Sequence, residues 1–326
     1  MVRVLCTALN AESGPHFRML TDAGHECHVP DRSRDLWNNN VLIETLQGFD
    51  AIIAGSEPYP ASVIAAIPHV RVIARAGVGF DAINLKACDD AGIVVATTPG
   101  CNHHSVAEHA IAMLMALGRG FPALDQEFRR GEWNRNPYPR VAGRTLGLVG
   151  LGRIGQATAT RAIGLGMNVI TFDPYAPADF VRQHGITTVS LEDLLKQADF
   201  ISLHSPATAE TRHMINDQSI ATMKDGVVII NTARGPLIDE PALIRALKSG
   251  RVRAAGLDVF EQEPLPLNSP LIGMPNVLLS GHVAGLDNES HDATWALGAE
   301  IIIRLHRGEW PGECIQNLRG VSGWKW

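Results

Sequence analysis

The sequence predicts an α/β protein with two doubly wound parallel-sheet domains. Short apolar segments rich in β-branched residues alternate with helical patterns along the whole chain, and these segments fall into two separate series. Parallel strands covered by helices on both faces show this alternation, because each crossover between them needs a connecting segment that is usually a helix. The length of 326 residues also favours two domains over one.

The first series occupies about the first hundred residues. We predict strands at 2–9, 50–54, 70–74 and 93–96. Residues 25–28 also alternate as a strand does. A helical pattern runs from 104 to about 130, and Asn102 is its predicted N-cap. This helix is expected to lead from the first series into the second.

The second series begins at a buried strand over 145–150. Further strands are predicted at 168–173, 200–204, 227–231, 255–259 and 277–280. A last helix, at about 289–307, returns the chain to its end. Helices fit between most of these strands, as a second doubly wound sheet requires.

Composition excludes several classes of protein. Hydrophobic residues make up 45% of the chain and charged residues 19%, as in ordinary globular proteins. The net charge is -6 and no basic run occurs, so we expect no nucleic-acid partner. No segment approaches the ~20 apolar residues of a membrane span, so we expect no membrane partner. The five cysteines form no CxxC pair, which indicates reduced thiols in a cytoplasmic protein.

A glycine-rich loop follows the first strand of the second series. Gly150, Gly152 and Gly155 have the GxGxxG spacing between a strand and a helix. The first glycine permits the tight turn, the second lets the backbone approach a pyrophosphate, and the third lets the helix pack closely on the strand. The free N–H groups of the helix N-terminus favour an anion there. This arrangement predicts a dinucleotide site of the Rossmann type.

An acidic residue narrows the choice of dinucleotide. Asp173 ends the next predicted strand, where a carboxylate can bind the hydroxyls of the adenosine ribose. The same carboxylate would repel the additional phosphate of NADP. We therefore expect the cofactor to be NAD.

Three chemically capable side chains follow later strands of the same series. Arg234, Glu263 and His282 come after the strands at 227–231, 255–259 and 277–280. In an open α/β sheet, ligands bind beyond the carboxyl ends of the strands. An Arg, a Glu and a His are therefore expected to reach one crevice.

With these residues in place, the chain resembles the D-isomer-specific 2-hydroxyacid dehydrogenases, the family that includes phosphoglycerate dehydrogenases and glyoxylate/hydroxypyruvate reductases. The resemblance covers nearly the whole chain, and the combination is specific although each piece alone is not. The matching stretches are 75–81, 105–109, the glycine loop, 172–175, 231–235, 257–264 and His282.

The resemblance implies a split domain order. Residues 1–101 and 288–326 would form a flavodoxin-like substrate (catalytic) domain, and residues 102–287 would form a Rossmann NAD-binding domain. It also implies a homodimer, with the long helix after His104 near the interface.

The family mechanism carries over to matching positions. His282 would be the general acid/base, and Glu263 would hold it and raise its pKa. Arg234 would clamp the substrate carboxylate and polarise the carbonyl. Backbone N–H groups around Val78 and Gly79 would bind the other carboxylate oxygen.

Further residues would line the cofactor groove by the same resemblance. Arg153 and Ile154 would face the pyrophosphate. The remaining positions assigned to the cofactor, some of them shared with the substrate, are Ser205, Thr232, Ala233, Arg234, Asp258, His282 and Ala284.

The substrate stays open at this point. The acid at Glu263 disfavours the formate dehydrogenase branch, and the end of the chain soon after the last helix leads us to expect no regulatory domain. Arg75 and Arg135 are similar to positions that help to bind phosphate in phosphoglycerate enzymes, but Gly55 stands where such enzymes often carry another Arg. A phosphorylated acid, glyoxylate, hydroxypyruvate or another small 2-keto acid all fit.

Other functions also stay open. The fold is shared with NAD-sensing corepressors of the C-terminal-binding-protein type and with phosphite dehydrogenase. His103, His104, Glu108 and His109 lack HExxH spacing, so we expect no metal site. The role of Trp324 and Trp326 near the C-terminus is undecided by the sequence.

Overall fold

A computed structural model of the protein describes residues 1–8, 11–318 and 323–326. The chain forms two compact units. The first unit combines Met1–Asn102 with Asp287–Trp326, and the second unit is His103–Leu286.

The first unit is built on a five-stranded parallel sheet. Its strands are β1 (Arg3–Cys6), β2 (Glu26–His28), β3 (Ala51–Ala54), β4 (Val72–Arg75) and β5 (Val94–Thr97). Their order in the sheet is β2-β1-β3-β4-β5, and every neighbouring pair is parallel. This is the flavodoxin-like order, so the predicted fold class is confirmed here. The C-terminal end of the strand predicted at 2–9 lies outside the described residues.

Helices cover both faces of this sheet. They are α1 (Pro15–Asp22), α2 (Asn39–Leu46), α3 (Ala61–Ala66), α4 (Leu85–Ala91) and α12 (Asn288–His306). One face packs against α1 and α12, and Gly298 of α12 lies so close to Ile53 that a Cβ there would be 3.3 Å from it. The other face packs against α2, α3 and α4. The C-terminal helix is thus part of the core of the first unit.

The second unit has a seven-stranded parallel sheet in the order β12-β11-β10-β9-β6-β7-β8. The strands are β6 (Thr145–Val149), β7 (Asn168–Phe172), β8 (Thr187–Thr188), β9 (Phe200–Leu203), β10 (Val227–Asn231), β11 (Val252–Leu257) and β12 (Val277–Leu279). The chain reverses direction across the sheet between β6 and β9, which is the switch point of a Rossmann sheet. The predicted fold class is confirmed for this unit as well.

The helices of the second unit complete its two outer layers. They are α5 (His103–Gly118), α6 (Phe121–Arg129), α7 (Arg153–Gly164), α8 (Ala178–His184), α9 (Leu191–Gln197), α10 (Asp217–Thr222) and α11 (Glu240–Ser249). Two buried clusters lie on the two faces of the sheet, one around Ile201 and Ile229 and the other around Leu148 and Ile230.

The prediction of a single helix over 104–130 is wrong in one respect, because two helices, α5 and α6, occupy this stretch. The break falls at Gly120, which has a left-handed φ of 68°. A Cβ at that residue would lie 2.0 Å from the Tyr138 ring, and Pro122 follows in the first turn of α6. Asn102 precedes α5 as expected, but its buried Oδ1 accepts no hydrogen bond from the described residues, so the predicted side-chain cap is not formed.

In the described part of the chain, no helix is long and apolar enough to cross a membrane. All five cysteines are free thiols. Among the same residues, no group of three or more His, Cys, Asp or Glu side chains is placed to hold a metal ion.

Candidate active site

The glycine loop between β6 and α7 has the geometry that its spacing predicts. Gly150 has a φ of 99°, and a Cβ there would lie 2.8 Å from the His204 carbonyl carbon. A Cβ at Gly155 would lie 2.3 Å from the Gly150 oxygen, so only glycine lets the helix approach the turn this closely. A Cβ at Gly152, in contrast, would meet no atom within 4 Å. The backbone at Gly152 therefore borders open space beside the start of α7.

The backbone N–H groups at the start of α7 receive no hydrogen bond acceptor from a capping side chain. The N-cap residue is Gly152, which has no side chain, and no acidic residue lies in the first turn. Arg153 and Ile154 are the first helical residues. Their backbone N–H groups and the positive end of the helix dipole point toward the open space at Gly152. A pyrophosphate fits this position.

Asp173 lies directly after β7, beside the same loop. Its Oδ2 accepts a hydrogen bond from the Leu151 N–H at 2.7 Å, and its Oδ1 accepts one from the Tyr175 N–H at 2.7 Å. Each oxygen keeps one lone pair for a further donor. The carboxylate is therefore oriented by backbone groups and can still accept two ribose hydroxyls.

The loops after β9 and β10 supply the next part of the groove. Ser205 is half-buried, and its hydroxyl contacts the Met214 sulfur at 3.9 Å. The Thr232 Oγ1 is buried without a hydrogen-bond partner among the described residues. A buried hydroxyl without a partner is costly, and a ligand that hydrogen-bonds it removes the cost. Together with the open glycine loop, this orphaned hydroxyl shows that the residues present fit a dinucleotide.

The three chemically capable side chains lie on loops that follow adjacent strands. Arg234 follows β10, Glu263 lies beyond β11 and His282 beyond β12. Gly235 lets the first two loops pack together, because a Cβ there would lie 1.9 Å from the Phe260 oxygen. The loops that carry Arg234, Glu263 and His282 therefore lie at the same edge of the sheet in the second unit, as the sequence predicts.

A buried asparagine shapes the Arg234 loop. The Asn231 Nδ2 donates to the Arg234 oxygen at 2.9 Å, and its Oδ1 accepts from the Ala233 N–H at 3.0 Å. The guanidinium Nη1 of Arg234 donates to the Ala233 oxygen at 2.6 Å. These contacts fix the direction in which the Arg234 side chain leaves the strand end.

Glu263 and His282 form a hydrogen-bonded pair. The Glu263 Oε2 lies 2.7 Å from the His282 Nδ1, and its Oε1 accepts the Phe260 N–H at 3.0 Å. Burial acts to raise the pKa of the Glu263 carboxyl, but the hydrogen bond and charge of His282, with smaller contributions from Phe260 and Arg234, bring this pKa below its usual value. Glu263 is therefore ionised near neutral pH. The imidazole is about half exposed, and its Nε2 has no partner among the described residues.

The backbone at His282 is in the left-handed region, with a φ of 58°. Such a conformation costs a non-glycine residue about 1 kcal/mol and persists where neighbouring contacts enforce it. Here the Asp258 oxygen accepts the His282 N–H at 2.7 Å. The fully buried Asp258 carboxylate also accepts the N–H groups of Val283 and Ala284, at 2.9 and 2.8 Å. Asp258 was expected to line the cofactor groove, and in the structure its carboxylate braces the histidine loop.

Helix α5 contributes residues that sequence reasoning did not assign to the site. The His109 Nε2 lies 2.9 Å from the Ser280 Oγ, which in turn donates to the Asp258 Oδ1 at 2.5 Å. The Ser105 Oγ donates to the Ala284 oxygen at 2.7 Å. A signal was present, because residues 105 and 109 are four apart and so lie on one face of a helix.

In the first unit, the predicted substrate loop follows β4. The Gly77 N–H donates to the Thr98 Oγ1 at 2.8 Å, and Gly77 has a φ of 147°. The N–H groups of Val78 and Gly79 donate no hydrogen bond to any described residue. They are therefore available for an anion at the carboxyl edge of this sheet.

Arg75 and Arg135, which are similar to phosphate-binding positions of phosphoglycerate enzymes, differ in setting. Arg75 ends β4 and is half-buried, with its Nη1 donating to the Ala76 oxygen at 2.8 Å. Arg135 is exposed in the segment between α6 and β6 of the second unit. At the start of α5, Arg161 of α7 pairs with Glu108 at 2.7 Å and contacts His104 at 3.4 Å, so these side chains form a surface cluster.

Comparisons with known proteins agree with this geometry. The model of the D-isomer specific 2-hydroxyacid dehydrogenase NAD binding domain matches residues 111–284. The glyoxylate reductase of Korarchaeum cryptofilum is 40% identical over 294 residues, which cover 86% of this chain and 89% of that protein. The D-3-phosphoglycerate dehydrogenase of Methanocaldococcus jannaschii is 41% identical over 284 residues. This match covers 86% of the chain but only 54% of the relative, so the chain spans about half of that longer protein.

A solved structure supports the same relationship. The D-lactate dehydrogenase of Aquifex aeolicus, crystallised with NAD and lactic acid, is 28% identical, and the two structures superpose with a TM-score of 0.81. The match covers 94% of this chain and 96% of that chain.

The Rossmann sheet and its site define an NAD-dependent dehydrogenase, and NAD is confirmed as the cofactor. More narrowly, the chain belongs to the D-isomer specific 2-hydroxyacid dehydrogenase family. It is an oxidoreductase that interconverts D-2-hydroxyacids and 2-keto acids by hydride transfer with NAD(H).

Proposed function

We propose that the substrate is a short 2-keto acid or the matching D-2-hydroxyacid, and that Arg234, Glu263 and His282 carry the chemistry. The hydrogen bond between Glu263 and His282 is the observation that carries the proposal. It orients the imidazole so that Nε2 stays exposed, while the ionised Glu263 holds Nδ1.

The proton transfer belongs to His282. When bound, NADH supplies the hydride and NAD accepts it in the reverse direction. The Nε2 of His282 gives a proton to the carbonyl oxygen of the keto acid, and it recovers a proton from the hydroxyl in the reverse reaction. Glu263 stays ionised throughout and holds Nδ1, so the ring cannot rotate away between turnovers.

Binding of the substrate carboxylate is assigned to two kinds of donor. Arg234 offers a planar guanidinium, which suits a bidentate contact with a carboxylate. In the first unit, the unpaired N–H groups of Val78 and Gly79 give that loop an anion-binding role. We therefore propose that the first unit, Met1–Asn102 with Asp287–Trp326, is the substrate domain and that His103–Leu286 is the NAD-binding domain.

Cofactor contacts follow from the groove. Gly150, Gly152 and Gly155, with the N–H groups of Arg153 and Ile154, would hold the pyrophosphate. Asp173 would hold the adenosine ribose, and the orphaned Thr232 hydroxyl would gain a partner. The residues proposed to line the remaining groove are Ser205, Ala233, Asp258 and Ala284.

A panel of keto acids tests the proposal. Purified protein and NADH are mixed with glyoxylate, pyruvate, hydroxypyruvate and 3-phosphohydroxypyruvate, and loss of the reduced-nicotinamide absorbance is followed. We expect turnover of at least one short acid and a much lower rate with NADPH. If NADH binds but no acid is reduced, the proposal is wrong, and phosphite with NAD tests the alternative oxidation.

Two further proposals concern assembly and location. We propose a homodimer, supported by three exposed aromatic side chains, Phe121, Phe128 and Trp133, on α6 and the segment after it. The rings of Phe128 and Trp133 are in contact, with centroids 5.7 Å apart. Exposed apolar groups of this size favour a partner surface. We also propose a cytoplasmic location, supported by the five free thiols.

A further inference from the structure

A buried carboxylate lies at the carboxyl edge of the sheet in the first unit. Glu57 follows β3 and is only 5% exposed. Its Oε1 accepts the Gly55 N–H at 3.1 Å, the Tyr59 hydroxyl at 2.7 Å and the Thr7 hydroxyl. Three donors that converge on one oxygen are the environment of a carboxylate. The proposed mechanism does not use this carboxyl group.

The second oxygen of Glu57 lies against Gly55. A Cβ built on Gly55 would be 2.6 Å from the Glu57 Oε2 and 3.1 Å from the backbone oxygen of Thr7. Any larger residue at position 55 would therefore displace the carboxylate. The Oε2 accepts no hydrogen bond from the described residues. The Glu57 carboxyl group thus occupies the space that a side chain at position 55 would fill.

This carboxylate is a neighbour of the anion-binding loop of the same unit. Strands β3 and β4 are paired, with Ala54 opposite Arg75, so both end at one edge of the sheet. The Ala76 N–H donates to the Ala54 oxygen at 2.9 Å, which joins the loop after β4 to the loop after β3. An acid held by the N–H groups of Val78 and Gly79 would therefore be bound at the edge that also carries Glu57.

We propose that Glu57 is a specificity-determining residue that excludes phosphorylated 2-keto acids and selects short acids whose third carbon carries no anionic group. The inference rests on the proposed function and names the substrate class of that site. A phosphate dianion on the substrate would be repelled by the like charge of the Glu57 carboxylate. A hydroxyl at the same position can instead donate a hydrogen bond to the Glu57 Oε2. Gly55 contributes to this selectivity, because the absence of a side chain there leaves room for the Glu57 carboxylate.

A pair of substrates that differ by one phosphoryl group tests the proposal. The value of kcat/KM with NADH is measured for hydroxypyruvate and for 3-phosphohydroxypyruvate. For the wild-type protein we expect the ratio to favour hydroxypyruvate by about 100-fold or more, since like charges in contact across a binding site are strongly unfavourable. In Glu57→Gln this ratio should fall by about 10-fold or more, through a gain on the phosphorylated acid.

A matched acid-to-amide change controls for net charge. Glu44 on α2 is exposed and pairs with Arg34 at 2.7 Å, so Glu44→Gln removes the same charge and should leave the ratio at its wild-type value. If Glu57→Gln does not fold, Glu57→Ala tests removal of the same charge. The ratio of the two kcat/KM values in the wild-type protein tests the inference without any variant.

The outcomes separate this inference from the proposed function. A wild-type preference for the phosphorylated acid would overturn the inference while leaving the dehydrogenase assignment intact. A ratio that is the same in wild type and in the Glu57 variants would also overturn it. Failure of the whole keto-acid panel would instead count against the proposed function.

Discussion

Several side chains at the site combine a functional position with an unusual environment. His282 has a left-handed backbone, Thr232 has a buried hydroxyl without a hydrogen-bond partner in the described part of the chain, and Glu263 is ionised although partly buried. Each of these states by itself costs free energy in the folded protein. Each is enforced by neighbouring groups or relieved by a ligand. Strained and unsatisfied groups that gather at one edge of a sheet mark that edge as functional.

Replacement of the proposed acid/base tests the residue scale directly. We expect His282→Ala to lower kcat by about 100- to 10,000-fold, the contribution of a positioned general acid. The dissociation constant for NADH, measured by fluorescence titration, should change little. His184→Ala removes an imidazole from the end of α8 and serves as the control. A kcat near the wild-type value in His282→Ala would rule out the assigned role.

A second histidine predicts how stability depends on pH. Burial lowers the pKa of His204 to about 4, and its Nε2 lies 2.9 Å from the Ser202 hydroxyl. The unfolded chain takes up a proton near the ordinary value of about 6.5, but the folded chain does not until about pH 4. The folded state is therefore destabilised as pH falls through this window and is unaffected above it.

The His204→Gln variant isolates this effect. Glutamine does not titrate and can still bond to Ser202. Urea unfolding of both proteins is compared at about pH 7.5 and about pH 4.5. Over that interval we expect wild type to lose roughly 2.5 kcal/mol more of its free energy of unfolding than the variant. A difference between the two proteins that stays constant with pH would contradict the prediction.

At the scale of elements, α5 acts as a support for the histidine loop. Ser105 and His109 lie on one face of the helix and reach Ala284 and Ser280, more than 170 positions along the chain. Ser280 donates a hydrogen bond to Asp258, whose carboxylate accepts the N–H groups of Val283 and Ala284 directly after His282. The helix therefore positions His282 without touching it.

Removal of this support should slow the reaction without abolishing it. We expect His109→Ala to lower kcat by about 10- to 100-fold, because small misplacements of a catalytic group are costly. His109→Gln, which can still hydrogen-bond Ser280, should recover most of the activity. His104→Ala on the same helix is the control, since His104 is exposed and its hydrogen bond and ring contact are with Arg161 and His103, away from Ser280. Equal losses in the Ala and Gln variants of His109 would indicate a packing role alone.

For the whole molecule, the exposed aromatic side chains on and after α6 predict self-association. Phe121 and Phe128 are seven residues apart and so share a helix face, and Trp133 is 77% exposed beside them. In Trp133→Asp, we expect sedimentation velocity to show a monomer where wild type sediments as a dimer. Leu267 is 95% exposed elsewhere, so Leu267→Asp should remain dimeric. A monomeric wild type would refute the homodimer.

Much of the architecture could be predicted because its signals are local. The strand pattern, the GxGxxG spacing and the acid at Asp173 each lie within a short stretch of chain. Strand ends differed from the predictions by at most three residues, β10 has the predicted bounds, and β8, a two-residue edge strand, was missed. The break at Gly120 was missed as well, because it depends on the Tyr138 ring, 18 positions away in sequence.

The sequence by itself determined the fold class, the cofactor and the three side chains proposed for the chemistry. Only the tertiary structure decided that Asp258 braces the histidine loop, that His109 belongs to this network, and that Glu57 places a carboxylate against Gly55. The physical reason is that a side chain's partner depends on which strand ends become neighbours. Pattern and spacing report what a segment can form, whereas hydrogen bonds between distant segments exist only after the sheets have assembled.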